Sequence, residues 1–121
     1  MTENNSEDFS DRRKFPRIRG ALVEYALSQD GPYQQPAFIK DISIGGVCIY
    51  LREQLQKDIN LYLKIHFENS MSPIEVKGKL AWQSKSSYIH YFDVGIQFFE
   101  LSDEASQQIS EYVSVHLPKK Q

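Results

Sequence analysis

Three arginines near the N-terminus and a short polar turn further along the chain carry the side chains best suited to ligand chemistry. The arginines are Arg12, Arg13 and Arg17. The turn supplies a carboxylate, a hydroxyl and two glycines, from Asp41, Ser43, Gly45 and Gly46. A guanidinium group donates in a flat fork to phosphate oxygens or to the O6 and N7 atoms of guanine, and a carboxylate accepts from other donors of that base. The two sets together predict a binding site for a guanine nucleotide.

Each set also has a plainer interpretation as ordinary surface structure. The arginines suit a solvated basic loop, Asp41 suits a turn, Ser43 a backbone cap and Gly46 a positive φ. The proline between Arg13 and Arg17 favours extended backbone, in which the two arginines would lie roughly 13 Å apart. Because that is too far for one phosphate, either the segment curls or the arginines contact different groups of the ligand.

The order and spacing of the two sets resemble the PilZ domain family, whose members are bacterial receptors for the second messenger cyclic di-GMP. Segments 76–82 and 94–98 also resemble strands of that family. The resemblance implies a barrel with a helix packed on it and a receptor that is not an enzyme.

The resemblance also assigns roles to individual residues. It implies that Arg13 and Arg17 bind the guanine and phosphate groups of cyclic di-GMP, together with the turn residues Asp41, Ser43 and Gly46. Arg12 occupies the family position that is thought to influence how many ligand molecules stack in the site. An arginine there implies two intercalated ligand molecules.

The apolar and polar pattern of the chain predicts a mainly β fold, a six-stranded antiparallel β-barrel with a C-terminal α-helix. The polar, acidic start of the chain predicts a flexible N-terminal arm. The predicted strands are 18–27, 37–43, 47–51, 59–68, 74–83 and 92–99. Ser102 is a good N-cap for the helix, and Pro118 marks its end. The predicted division of the chain is a disordered tail at 1–11, a PilZ-like domain at 12–117 and a short tail at 118–121.

The period of two also predicts which residues share a face. It places Trp82 on the buried face of its strand, which favours a core position, with ligand contact kept as the alternative for Trp82 and for Gly45. It places Ile39, Asp41 and Ser43 on one face, so the carboxylate and the hydroxyl are expected side by side.

Composition and motif content exclude several classes of function. The chain has 121 residues, a net charge of −2, one cysteine and three scattered histidines. The charge argues against a nucleic-acid partner, and the sequence predicts no catalysis, no metal, no cofactor and no membrane insertion. An acidic start without an apolar signal segment predicts a cytoplasmic protein. The predicted oligomeric state is a monomer or weak dimer.

With no second domain in 121 residues, the sequence predicts that a liganded receptor acts as an adaptor on an unidentified effector protein. The alternative prediction is a PilZ-type interaction module that works without ligand in motility or surface attachment.

Overall fold

The computed structural model describes residues 20–68 and 72–116, with the side chains of 115 and 116 excepted. The strands are β1 (Ala21–Ala26), β2 (Ala37–Ser43), β3 (Gly46–Leu51), β4 (Asn60–Phe67), β5 (Ile74–Lys85) and β6 (Phe92–Phe99), and the helix is α1 (Asp103–His116). The predicted fold class is confirmed, with small shifts at the strand ends. The predicted flexible arm and both predicted tails lie outside the described residues.

The six strands close into one barrel, in which every neighbouring pair is antiparallel. Around the barrel the order is β1-β2-β3-β6-β5-β4, and β4 pairs again with β1. Side chains that point inward form the core, and the fully buried ones on the strands are Val23, Ile39, Ile49, Leu61, Leu63, Ile65 and Val94. In β4 every second residue is buried, as its period of two predicts.

Helix α1 closes one end of this barrel. The Ser102 hydroxyl oxygen accepts a hydrogen bond from the Ala105 backbone N–H at 3.0 Å, so the predicted N-cap is confirmed. The helix contacts β2 and β5, which lie on opposite sides of the barrel, so it crosses the open end. There Tyr112 stacks on Phe67, the last residue of β4, with ring centroids 4.4 Å apart. Ile109, one turn earlier on the helix, is fully buried.

Two irregularities interrupt the alternation of faces. The register shifts between Ile39 and Asp41 in β2, and between Leu80 and Trp82 in β5. An extra residue in a strand turns the following side chains to the other face. Asp41 is therefore exposed while Ile39 is buried, so the prediction that they share a face was wrong, although Asp41 and Ser43 do share the outer face. The predicted core position of Trp82 was also wrong, since this side chain is 50 % exposed.

Candidate functional site

A row of four paired residues crosses the outer face of strands β2, β3, β6 and β5. Asp41 pairs with Cys48, Cys48 pairs with Gly95, and Gly95 pairs with Trp82. Directly paired residues on one face of a sheet lie about 5 Å apart. A carboxylate and an indole thus stand at the two ends of a shallow floor, with only the small residues Cys48 and Gly95 between them.

The floor belongs to a pocket of about 360 Å³. Its polar lining comes from Asp41, Ser43 and Gln97, and its apolar side from Ala81 and Trp82. The other lining residues, many of them small or contributing backbone, are Ile42, Gly45, Gly46, Val47, Cys48, Gly95 and Ile96. The pocket has a hydrogen-bonding side and a flat aromatic side, but among these lining residues there is no arginine or lysine.

The turn between β2 and β3 shapes the polar side of the pocket. The Ser43 hydroxyl oxygen accepts a hydrogen bond from the Gly45 backbone N–H at 3.1 Å, so the backbone-cap role expected as an alternative for Ser43 is present. The Gly45 carbonyl oxygen in turn accepts from the Phe98 N–H at 3.0 Å. These two bonds shape the turn and hold it against β6.

Gly46 is needed for close approach of two strands. Its φ is not positive, so the positive φ expected as its plainer role was wrong. A Cβ atom at Gly46 would collide with the carbonyl oxygen of Ile96 and approach the Gln97 Cα to 3.3 Å. Only glycine fits there without a shift of the backbone of β3 or β6.

Gly95 gives the indole of Trp82 its place in the pocket. A Cβ atom at Gly95 would collide with the indole Nε1 and Cε2 atoms. The ring therefore lies over the backbone of β6 at Gly95, while half of the side chain is exposed to solvent. The aromatic face is positioned to stack on a planar group that also reaches Asp41.

Cys48 and Gln97 are pocket residues that the sequence analysis missed. Burial, with the carboxylates of Asp93 and Asp41, raises the pKa of the Cys48 thiol, so it stays protonated and is a poor nucleophile. Parity along β3 was the available signal, because residues 46 and 48 must share a face. Nothing in the sequence pointed to Gln97, since its place depends on the pairing of β6 with β3.

The structure brings together five of the predicted ligand residues, which are Asp41, Ser43, Gly45, Gly46 and Trp82. Arg12, Arg13 and Arg17 lie outside the described residues. The antiparallel pairing places the start of β1, where the chain leaves the segment that carries these arginines, at the same end of the barrel as the β2–β3 turn.

Other kinds of site are not seen within residues 20–68 and 72–116. No group of three or more histidine, cysteine and acidic residues there is placed to hold a metal ion. In the same parts of the chain, no helix has both the length and the apolar composition needed to cross a membrane.

Comparison with known proteins identifies the class to which this barrel and its pocket belong. The family model of the PilZ domain matches residues 11–114, so the chain belongs to the PilZ family. No curated protein sequence matches the chain.

Two solved structures share the fold at low sequence identity. The PilZ domain of YcgR from Escherichia coli, solved with c-di-GMP, has a TM-score of 0.60 and 15 % identity over 83 % of this chain and 87 % of that one. The PlzA protein of Borreliella burgdorferi, in complex with c-di-GMP, has a TM-score of 0.54 and 15 % identity over 93 % of this chain and 50 % of that one.

Proposed function

We propose that this protein is a receptor for cyclic di-GMP, not an enzyme, and that it signals to a partner protein in trans. The observation that carries the proposal is the row from Asp41 to Trp82 in a chain of the PilZ family. Two structural relatives were solved with c-di-GMP, which supports the same ligand here. The proposed place of action is the cytoplasm.

The geometry of the pocket suits a guanine base. Trp82 offers a planar surface on which a base stacks, an interaction typically of about 1–3 kcal/mol. Asp41 stands at the other end of the row and offers carboxylate oxygens to the N–H groups of guanine. Gly95 has no side chain, so the indole can lie over the backbone of β6 with its exposed side open to the base.

The phosphates require charge from elsewhere in the chain. The lining residues of the pocket include a carboxylate and no cation, so two phosphates would be repelled by Asp41 unless positive groups joined them. We propose that Arg13 and Arg17 supply these groups. We further propose that Arg12 allows a second, intercalated ligand molecule, whose two additional charges need a third guanidinium.

Calorimetric titration with cyclic di-GMP tests the proposal. The wild type is expected to bind two ligand molecules per protomer, and Arg12→Ala to lower this number or the affinity. Arg17→Ala and Asp41→Ala should each lose about tenfold or more in affinity, or about 1.4 kcal/mol, because each removes a charge-assisted contact.

Matched controls are Lys57→Ala and Asp30→Ala, which remove exposed charges outside the pocket lining and should leave the affinity unchanged. Equal affinity for GMP and cyclic di-GMP, or wild-type affinity in Arg17→Ala, would contradict the proposed site. Absence of binding would favour the ligand-independent interaction module instead. One ligand molecule at saturation would contradict the role given to Arg12.

A further inference from the structure

A second concave surface lies at the end of the barrel opposite the β2–β3 turn. The loop that joins β5 to β6 forms it, together with Arg52 at the end of β3, around a volume of about 880 Å³. We call this the loop surface, defined by Arg52, Lys85, Ser86, Ser87, Tyr88, Ile89, His90, Tyr91 and Phe92.

The loop surface is held in shape by packing on the outside of the barrel. Tyr50 points to the outer face of β3, yet only 2 % of it is exposed. The rings of Tyr88 and Tyr91 meet the Tyr50 ring edge-on, with centroids 6.1 and 6.4 Å away. Arg52 lies over the Tyr91 ring at 4.9 Å and donates to its hydroxyl at 3.2 Å.

Backbone bonds complete this arrangement. The Tyr91 N–H donates to the Tyr88 carbonyl at 3.1 Å, and the Ser86 N–H donates to the Tyr91 carbonyl at 3.0 Å. A loop fixed by aromatic packing and its own hydrogen bonds loses little conformational entropy when a partner binds.

What the fixed loop leaves exposed is an apolar side chain beside positive charge. Ile89 is 74 % exposed, the most exposed of the large hydrophobic residues that the structure describes. Among the described residues, neither Arg52 nor Lys85 has a carboxylate within salt-bridge distance. Glu53, which follows Arg52 in the sequence, accepts a hydrogen bond from the Tyr25 hydroxyl at 2.9 Å, and Asp93, the acid nearest to Lys85 in the sequence, is paired with Lys40 at 3.0 Å. The complementary partner is therefore acidic and carries a large apolar side chain.

The loop surface and the candidate ligand pocket share no lining residue, but they adjoin along the outer face of β3. Gly46, Cys48 and Tyr50 follow one another on the outer face of β3, and Arg52 comes just after the strand ends. Cys48 lies in the floor of the pocket and Tyr50 lies under the loop, about 7 Å further along the strand. A segment bound on the loop surface therefore lies beside any ligand in the pocket.

We propose that the loop surface is the docking site for an acidic segment of a partner protein, anchored by a large apolar side chain on Ile89 and by its carboxylates on Arg52 and Lys85. The docking proposal specifies the chemistry of the partner protein that the proposed receptor requires, so it rests on the proposed function.

Selection from a random peptide library displayed on phage tests the proposal, with the full chain as target in the presence and absence of cyclic di-GMP. Selected peptides should be acidic and carry a large apolar residue, and a synthetic peptide of the consensus sequence should then be titrated by fluorescence anisotropy. Ile89→Ser and Arg52→Gln should each weaken it about tenfold or more. Leu27→Ser, which removes another exposed apolar side chain, and Lys57→Gln should change the affinity less than about twofold.

Three results would overturn the docking site: no enriched peptide, enriched peptides that are neutral or basic, or equal binding to Ile89→Ser and wild type. A dimer that Ile89→Ser dissociates, seen by sedimentation, would also overturn it, because a second copy would then be the occupant.

Titration with cyclic di-GMP separates this proposal from the function on which it rests. Ile89→Ser and Arg52→Gln should bind cyclic di-GMP as the wild type does, because neither residue lines the ligand pocket. Peptide binding that needs Ile89 in a protein that binds no cyclic di-GMP would support the docking site and contradict the receptor. Cyclic di-GMP binding without any selected peptide would contradict the docking site alone.

Discussion

At the scale of single residues, two glycines shape the pocket because neither has a Cβ atom. Gly46 lets β3 approach the backbone of β6, and Gly95 provides the space that the indole of Trp82 occupies. The sequence predicted Gly46 as a site residue but gave it the wrong plainer role. It gave no sign that Gly95 and Trp82 belong together, because contact across two strands depends on their register.

Gly95→Ala is expected to move the indole out of its place. The new Cβ would overlap the ring of Trp82, so the ring must rotate towards solvent. Because Trp82 is the only tryptophan, its fluorescence reports this directly as a red-shifted emission maximum. Affinity for cyclic di-GMP should fall by about tenfold through loss of the stacking surface.

Gly45→Ala is the matched control in the same pocket. Its Cβ would meet only the Ser43 hydroxyl oxygen, at an ordinary 3.7 Å, so the emission of Trp82 should stay as in the wild type. An unchanged emission maximum in Gly95→Ala would show that the indole does not depend on the glycine.

At the scale of elements, regular strands were predictable and their irregularities were not. In β4 every second residue is buried, so composition and period agree. The shifts before Asp41 and Trp82 arise from pairing with β3 and β6, which local sequence does not encode. The carboxylate and hydroxyl were still placed on one face, because both follow the shift in β2. Trp82 was misplaced because the shift in β5 comes before it.

The helix end offers a test of local structure at this scale. Ser102→Ala removes the acceptor for the Ala105 N–H and should lower the free energy of unfolding by about 1 kcal/mol. The matched control is Ser114→Ala, an exposed serine whose hydroxyl donates to the Glu111 carbonyl at a long 3.3 Å, where a change below about 0.5 kcal/mol is expected. Urea denaturation measures both, and equal effects would contradict the capping role.

At the scale of the whole molecule, buried tyrosines set the alkaline limit of stability. Burial is the largest cause that raises the pKa of Tyr25, Tyr50 and Tyr112, and in Tyr25 a hydrogen bond to Glu53 adds to it. The unfolded chain releases these protons near pH 10, while the folded chain retains them to higher pH. The contribution of these tyrosines to the free energy of unfolding should therefore be fully present at neutral pH and decrease as the pH rises above about 10.

Urea denaturation at pH 8 and pH 11 checks this expectation. The wild type should be less stable at the higher pH, and Tyr25→Phe should lose less over the same interval because it has one titrating group fewer. Equal stability of the wild type at the two pH values would contradict the prediction.

The N-terminal segment provides a second prediction for the whole molecule. If its arginines offset the phosphates as proposed, cyclic di-GMP should increase the protection of backbone amides in residues 12 to 17 against hydrogen exchange. The binding free energy is then reduced by the entropy of ordering the segment. Mass spectrometry of exchange with and without ligand measures the change. Strong protection of these amides in the ligand-free protein would indicate a preformed site.

Closure of the barrel limits how ligand binding can cause a conformational change elsewhere in the protein. Each strand is hydrogen-bonded on both sides, so one strand cannot slide without breaking two sets of bonds. A slide of one residue would also turn its buried side chains outward. Long-range relay through strand movement is therefore blocked. A partner must therefore contact the bound ligand directly, on a composite surface that the nucleotide and the protein form together.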